Sequence, residues 1–216
     1  LPILMVGLAR PEVLAQAPKP SPLSPNNPKL LADRLDAYLA IDKNGKVDVF
    51  YGAIDGGQGL ETSIAQMVAE ELDVPLSSIR MIMGDTRRTL NMGGASGAQG
   101  VSRRGTSLMK AAALARQILL EDAARHFKTS TKDLVVKDGV ISLRNHPAKK
   151  ITYGQIIGDK TFQTNVRWNG QWGNPHDIAT DAPLKSYKDY QIIGQSPRRI
   201  DLPKKVFGEQ DFPGDV

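Results

Sequence analysis

The fold is decided by two glycine-rich stretches, Gly52-Ala-Ile-Asp-Gly-Gly-Gln-Gly59 and Gly93-Gly-Ala-Ser-Gly-Ala-Gln-Gly100. Each runs directly into a helical pattern, and ten of the chain's 20 glycines fall between residues 52 and 105. Glycine lets the backbone approach a ligand closely and adopt positive φ, and a helix N-terminus offers N–H groups to an anion. The pattern favours a large anionic ligand held at two points. On spacing alone, tight turns between packed elements are an equally weighted alternative.

Periodicity around the two loops predicts an α+β fold. Apolar runs at residues 37–41 and 46–50 flank Asn44-Gly45, the strongest short hairpin signal. Helical spacing predicts two main helices, at about residues 61–72 and 105–127, and the first cannot continue past Pro75. Further elements are a strand at 79–83, a hairpin at 134–136 and 140–143 around Asp138-Gly139, and a short helix at 152–157. We therefore expect β-hairpins and two main helices packed on a mixed sheet.

Composition divides the chain into three regions. Five prolines between residues 18 and 28 mark an extended arm, so residues 1–33 are assigned to an arm and residues 34–145 to a folded α/β portion. The apolar start with Ala15-Gln16-Ala17 fits a signal remnant, and an ordinary apolar arm is the alternative. Residues 146–216 form an extended tail with too few apolar residues for a core of its own. We expect this tail to dock on another surface, that of a partner.

The overall composition excludes several classes of site. With no cysteine, this chain forms no disulfide and no Cys-ligated zinc or iron–sulfur site. Its three histidines stand far apart, so no metal site is predicted within it. The net charge of +5 is not gathered in one run, and there are only 12 aromatic residues (2 Trp, 5 Tyr, 5 Phe), so nucleic-acid binding is not expected. The apolar start is also too short for a transmembrane helix.

Neither loop matches a common nucleotide motif. A phosphate-binding Walker loop needs Lys followed by Ser or Thr after its last glycine, and neither loop has them. In the first loop, the third glycine of a dinucleotide-binding fingerprint is replaced by Thr62. No nucleophile, base and orienting residue form a recognisable set. The residues alone therefore indicate a binding function with no catalytic residue assigned.

At these residues the chain resembles the molybdopterin-binding subunit of the xanthine dehydrogenase and aldehyde oxidase family, in its isoquinoline 1-oxidoreductase-like branch. Three stretches carry the resemblance, at residues 49–62, 66–86 and 91–100. The stretch at 189–208 is similar to the lead-in to the family's hammerhead domain. The resemblance implies a molybdopterin-binding-domain-like fold for residues 34–145. It also implies that the chain is the first piece of a larger subunit or one product of a split gene.

The resemblance also implies which residues contact the cofactor. They are Gly57, Gln58, Gly59, Gly97, Ala98, Gln99 and Gly100. At Ala98 and Gly100 the chain lacks the serines that the family often has, so backbone rather than side-chain contacts are expected there. The family's general-base glutamate lies near the end of the full subunit and matches nothing here. The chain is therefore not expected to be active alone.

The resemblance further implies an oxidoreductase that hydroxylates aldehydes or N-heterocycles with oxygen from water. The expected cofactor is molybdopterin with molybdenum, in the cytosine dinucleotide form. The expected partners are the rest of the molybdenum subunit, an iron–sulfur subunit and, as a further option, a haem-bearing cytochrome c subunit. The expected location is periplasmic, with a cytoplasmic location as the alternative. Two rival functions stay open: a non-catalytic structural subunit, and a binding module for another anionic ligand.

Overall fold

The computed structural model describes residues 30–210. The predicted signal remnant and most of the proline-rich arm lie outside the described residues. The strands are β1 Leu39–Ile41, β2 Val47–Tyr51, β3 Ile79–Met83, β4 Leu134–Lys137, β5 Val140–Leu143, β6 His146–Thr152, β7 Arg167–Trp168 and β8 Ile178–Ala179. The helices are α1 Leu60–Leu72, α2 Thr106–Phe127, α3 Tyr153–Ile157 and α4 Leu202–Val206, and a π-helix at Gly100–Gly105 leads into α2.

The first sheet is mixed, as predicted. β1 and β2 form an antiparallel hairpin whose turn contains Gly45 at φ +79°, a conformation that glycine adopts without strain. β2 then connects through the first glycine loop and α1 to β3, which lies parallel to β2. A parallel pair needs such a crossover. The crossover therefore places the first glycine loop at the carboxyl end of β2, at the start of α1.

The two main helices pack against each other and bury one core. The buried residues of α1 include Ile64, Val68 and Leu72, at the helical spacing that the sequence predicts. Alanines of α2 allow close approach: Ala111, Ala112 and Ala115 are among its buried residues. The predicted α+β class, with two helices on a mixed sheet, is confirmed.

A second sheet contains the predicted hairpin and one further strand. β4, β5 and β6 are antiparallel neighbours in that order. β6 begins at His146, so the first seven residues of the region assigned to the tail belong to this sheet. The predicted short helix is present as α3, which begins with a capping box between Thr152 and Gln155.

The core also extends further toward the N-terminus than the sequence indicates. Leu30 and Ala32 are buried in the same cluster as α1 and α2, although the prolines that precede them led us to assign residues 1–33 to an arm. Ala32 is held further by its carbonyl, which accepts a hydrogen bond from the Tyr38 hydroxyl at 2.7 Å. A tertiary contact with a residue later in the chain therefore places the start of the folded part before residue 34.

The described part of the tail lies across α1 of this same chain. The buried carboxylate of Glu70 accepts hydrogen bonds from three successive backbone N–H groups, those of Gln191, Ile192 and Ile193, at 2.6–3.0 Å. Lys185 also contacts Glu70, at 3.3 Å. Tyr190, Ile192 and Ile193 also pack against the core, so apolar contacts and polar contacts together hold this segment. Docking on a partner stays a prediction.

Candidate functional site

The two glycine loops meet at one pocket of about 360 Å³. Its wall is formed by Gln58, Leu60, Ser63, Ala95, Ser96, Gly97, Ala98, Gln99, Gly100, Val101 and Arg104. The first loop and α1 supply one side, and the second loop with the π-helix supplies the other. Packing of α1 against the start of α2 therefore brings together two segments that lie about 40 residues apart in sequence.

The helix N-terminus in the first loop is already occupied by an acidic side chain of this chain. The Asp55 carboxylate accepts hydrogen bonds from the backbone N–H groups of Gly57, Gly59 and Glu61, at 2.8–3.2 Å. Burial alone would raise the pKa of Asp55, but these three donors outweigh it and hold the pKa below its usual range. The expectation that this helix start offers free N–H groups to an anionic ligand is therefore wrong for these three groups.

Gln58 is the residue of the first loop that reaches the pocket. Its side chain is exposed and, within residues 30–210, forms no hydrogen bond. Gly57 and Gly59 flank it at φ +108° and φ +80° but do not line the pocket. Their contribution is the backbone conformation that turns Gln58 outward. Its amide is free to donate to a ligand and to accept from it.

The second loop lines the pocket with all four residues named from the sequence. Gly97 and Ala98 both have positive φ, at +59° and +54°. Alanine rarely adopts this positive-φ conformation, which costs on the order of 1 kcal/mol of conformational free energy. Residues with such strained backbone concentrate at functional sites. Gly97 forms no hydrogen bond within the described part of the chain. The Oε1 atom of Gln99 is buried and has no partner there.

Gly100 has a packing role in addition to its place in the wall. A Cβ at this position would lie 2.6 Å from a methyl carbon of Leu60 on α1. The same holds one turn later at Gly105, where a Cβ would lie 2.8 Å from Ile64. These glycines let the π-helix approach α1 closely, so this part of the motif serves helix packing. π-helical segments are rare and often mark functional sites.

Arg104 supplies an unpaired positive charge at the pocket. Its side chain is only 2% exposed, and it donates to the carbonyls of Met92 and Gly94 and to the side-chain oxygen of Asn174, at 2.5–2.8 Å. These acceptors are neutral. No carboxylate in the part of the chain that the structure describes forms an ion pair with Arg104. Because a buried charge is costly unless it is paired, an anionic ligand in the pocket would be stabilised here.

The roles of Arg104 and Asn174 were not predicted from the sequence. The pair Arg103-Arg104 is visible there, but nothing in it tells which of the two is buried. The sequence did contain one indication of Arg104, because it lies four residues after Gly100, the last glycine of the loop, at the start of a helix. Asn174 lies in the region assigned to the tail and had no sequence signal, since its contact with Arg104 spans 70 residues.

The residues that line the pocket provide no catalytic acid or base and no metal ligand set. Among its lining residues, Arg104 alone is charged, and none of them is a carboxylate or a histidine. Within residues 30–210, no group of three or more His, Cys, Asp or Glu side chains is placed to hold a metal ion. No helix in the same range is long and apolar enough to cross a membrane. The free amides, the strained backbone and the buried cation suit the binding of an anionic, hydrogen-bonding ligand.

Comparison with known proteins gives a consistent match. Residues 18–192 match the family model described as "Molybdopterin cofactor-binding domain". A nicotinate dehydrogenase subunit of Pseudomonas putida is 33% identical over 189 residues, covering 88% of this chain and 15% of that protein. The beta subunit of isoquinoline 1-oxidoreductase of Brevundimonas diminuta is 26% identical over 218 residues, covering 88% of this chain and 28% of that protein.

A solved structure is also similar over part of the chain. Quinoline 2-oxidoreductase from Pseudomonas putida 86 has a TM-score of 0.48 and 30% identity, covering 56% of this chain and 15% of the other. The chain thus spans between about one seventh and three tenths of the length of these three relatives.

Proposed function

Because this chain belongs to the molybdopterin cofactor-binding domain family, we propose that the pocket between its two glycine loops holds part of a molybdopterin cofactor. The observation that carries this proposal is Arg104, a buried residue that lines the pocket and whose guanidinium has no carboxylate partner among the described residues. A cofactor phosphate would supply the missing negative charge. The pocket volume of about 360 Å³ lies within the range of roughly 300–1,000 Å³ typical of small-molecule sites.

The amide side chains on both walls fit the other half of the cofactor. A pterin ring carries both hydrogen-bond donors and acceptors at its edge. Gln58 has a free amide, and the buried Oε1 of Gln99 lacks a donor within residues 30–210. The backbone N–H of Gly97 is also available. These groups satisfy polar atoms of a ligand that would otherwise lose hydrogen bonds to water on binding.

We further propose that the chain is the cofactor-binding part of a molybdenum hydroxylase. The names of its relatives refer to nicotinate and isoquinoline, which are N-heterocycles, and to an aldehyde, so the substrate is an N-heterocycle or an aldehyde. When bound, the cofactor would supply the two-electron oxidation of a substrate carbon, with water as the oxygen source. The residues of this chain would bind and orient the cofactor, and no residue here is assigned as the base.

The remaining assignments rest on the family and stay proposals. They are the cytosine dinucleotide form of the cofactor, an iron–sulfur partner, a cytochrome c partner and a periplasmic location. The relatives are named as subunits, which supports a multisubunit assembly. Mass spectrometry of the released nucleotide, and of the subunits that copurify with the chain, tests the first three. Fractionation of the cell tests the fourth.

The decisive experiment measures molybdenum and pterin in the purified complex. We expect Arg104→Gln to lower the molybdenum content per folded complex at least tenfold, because the variant removes the charge beside the pocket. Arg103→Gln is the matched control, since Arg103 is exposed on the same helical segment and does not line the pocket. A wild-type complex free of molybdenum and pterin would support a structural subunit. Pterin-free protein that binds another anion at Arg104 would support the other rival.

A further inference from the structure

The tail crosses α1 from its carboxyl end to its amino end. Lys185 contacts Asp73 at the end of the helix. The segment at residues 191–193 is held by Glu70, and Gln66 donates to the carbonyls of Ile192 and Gln195 at 2.8 and 3.2 Å. Each successive contact lies nearer to the start of α1. The course of the tail therefore leads directly to the first glycine loop.

At the start of α1 the tail contacts the loop itself. The backbone N–H of Ile200 donates to the Thr62 hydroxyl at 2.9 Å. The Arg199 guanidinium donates to the carbonyl of Gly57 at 3.0 Å. The same guanidinium lies 3.6 Å from the point where a Cβ on Gly59 would stand, so it covers the loop at close contact. Arg199 thus contacts Gly57 and lies near Gly59, the two glycines that flank Gln58.

The Arg199 side chain is itself held in a defined orientation. Asp201 accepts two hydrogen bonds from it, at 2.7 and 3.0 Å, in the bidentate geometry that fixes a guanidinium plane. Lys205 contacts the same carboxylate at 2.6 Å. Asp55 fixes the same loop through three backbone N–H groups. The loop therefore has one anchor on its N–H groups and a second on its carbonyl.

We propose that Arg199 is a positioning residue for the cofactor pocket, which fixes the first glycine loop so that Gln58 faces the ligand. This inference rests on the proposed function, since the ligand is the molybdopterin cofactor. Gln58 has no other hydrogen bond that would orient it within the described residues. The conformation of its two neighbours therefore determines where its amide points. Arg199 then couples docking of the tail to formation of the pocket.

The test compares Arg199→Gln with Arg198→Gln in the full protein. Arg198 is the adjacent arginine, is exposed and forms no ion pair or hydrogen bond within residues 30–210, so it controls for the loss of charge. Hydrogen–deuterium exchange is measured at the amides of Gly57, Gly59 and Glu61 in cofactor-free protein. We expect exchange about three- to tenfold faster in Arg199→Gln, because a partly exposed charge-assisted hydrogen bond is lost.

A second set of amides separates positioning from general loosening of the tail. The N–H groups of residues 191–193 are held by Glu70 and should exchange at the wild-type rate in Arg199→Gln. Molybdopterin content of the complex should fall at least threefold in this variant and stay unchanged in Arg198→Gln. Arg199→Lys, which can still donate to the Gly57 carbonyl, should recover part of the content.

Each other outcome contradicts the inference in an identifiable way. Unchanged exchange in the loop, or faster exchange in the loop and at residues 191–193 together, would overturn the positioning role. Faster loop exchange with full molybdopterin content would show that loop order does not affect the cofactor. If wild-type protein contains no molybdopterin, the proposed function fails and so does the cofactor part of this inference. The exchange data would still decide whether Arg199 orders the loop.

Discussion

Gly97 and Gly100 stand three residues apart in the second loop but meet different constraints. Gly100 is needed because a side chain there would collide with Leu60. At Gly97 a Cβ would meet only the Gln99 side chain, at 3.5 Å or more, and the constraint is the positive φ of 59°. The family resemblance assigned the same role to both. At the scale of a residue, one motif therefore meets two different requirements: Gly100 allows close helix packing, and Gly97 allows the backbone conformation of the pocket wall.

Gly97→Val should lower both stability and cofactor content. A β-branched residue at positive φ costs about 1–2 kcal/mol, which for a chain of this size lowers Tm by a few degrees. The valine would also stand in the pocket wall. Gly170→Val is the matched control, because Gly170 has φ +74° and open space around it but does not line the pocket. Equal molybdenum content in the two variants, at similar Tm, would remove Gly97 from the cofactor site.

His176 should make stability depend on pH. Burial among Tyr38, Trp168 and Trp172 lowers its pKa to about 4, although Asp177 acts in the opposite direction. Between pH 6.5 and 4 the unfolded chain therefore binds a proton that the folded chain does not. Stability from the neutral imidazole is present above pH 6.5 and is lost as pH falls through this window.

Urea unfolding of the wild type and of His176→Gln at pH 7 and pH 5 measures this effect. Between pH 7 and pH 5, we expect the free energy of unfolding to fall by about 2 kcal/mol more in the wild type than in the variant. The reason is that one pKa unit corresponds to about 1.4 kcal/mol. Glutamine does not titrate, and it can still donate to the Tyr38 hydroxyl, which lies 3.0 Å from Nε2 of His176 in the wild type. If the free energy of unfolding fell equally in the two proteins, protonation of His176 would not destabilise the folded state.

At the scale of an element, α1 serves two surfaces through opposite faces. Its apolar face packs in the core with α2, and its polar side carries Glu70 and Glu71, which are nevertheless buried because the tail covers them. Arg116 of α2 lies 3.8 Å from Glu71 and 3.5 Å from Asp73. Sequence periodicity assigns such acidic positions to solvent. The tail converts them into a buried network of charges and backbone N–H groups.

Glu70→Gln should release the tail from α1. A neutral amide carries no charge and has one acceptor oxygen instead of two. If that oxygen takes the place of Oε2, which accepts from the three backbone N–H groups, the NH₂ group would face the Lys185 ammonium. With Glu70 only 1% exposed, we expect the free energy of unfolding to fall by about 1.5–3 kcal/mol, the range for hydrogen bonds to charged groups. The measurements are Tm and limited proteolysis after residue 185. Glu121→Gln on the exposed face of α2 is the control, and equal effects of the two substitutions would contradict the anchoring role.

At the scale of the whole molecule, exposed apolar surface concentrates at the end of the described tail. Three apolar residues of α2 that are only partly buried pack against the core of this chain: Leu114, Ile118 and Leu120. On α4 and just after it, in contrast, Val206 is 69% exposed and Phe207 is 76% exposed. Adjacent exposed apolar side chains favour association.

The double substitution Val206→Ser with Phe207→Ser should therefore reduce self-association of the isolated chain. We expect Tm to stay within about 1 °C of the wild type, because surface substitutions away from packed features usually change stability by no more than about 0.5 kcal/mol. Light scattering as a function of protein concentration measures self-association, and calorimetry measures Tm. Tyr187→Ser, at a residue that is 74% exposed and does not belong to α4, is the control. Unchanged scattering in the double variant would assign the association to another surface.

Most local elements could be predicted from the sequence because their signals are local. Helical spacing and Pro75 located α1, and the Asn44-Gly45 and Asp138-Gly139 turns located two hairpins. The short helix predicted at residues 152–157 is observed at Tyr153–Ile157. The glycine loops could also be placed at the starts of helices. The sequence could not predict that Asp55 accepts hydrogen bonds from the N–H groups of the first loop. A carboxylate that bonds to its own loop produces no periodic pattern in the sequence.

The sequence by itself determined the α+β class, the two glycine loops and the family resemblance, since each depends on neighbouring residues. Only the tertiary structure decided that the loops form one pocket, that Arg104 is buried there without an acidic partner among the described residues, and that the tail lies on α1 with Arg199 against the first loop. These contacts join residues between 10 and about 140 positions apart. Their formation depends on how α1 and α2 pack and on which charges that packing buries, and neither is encoded at any fixed spacing.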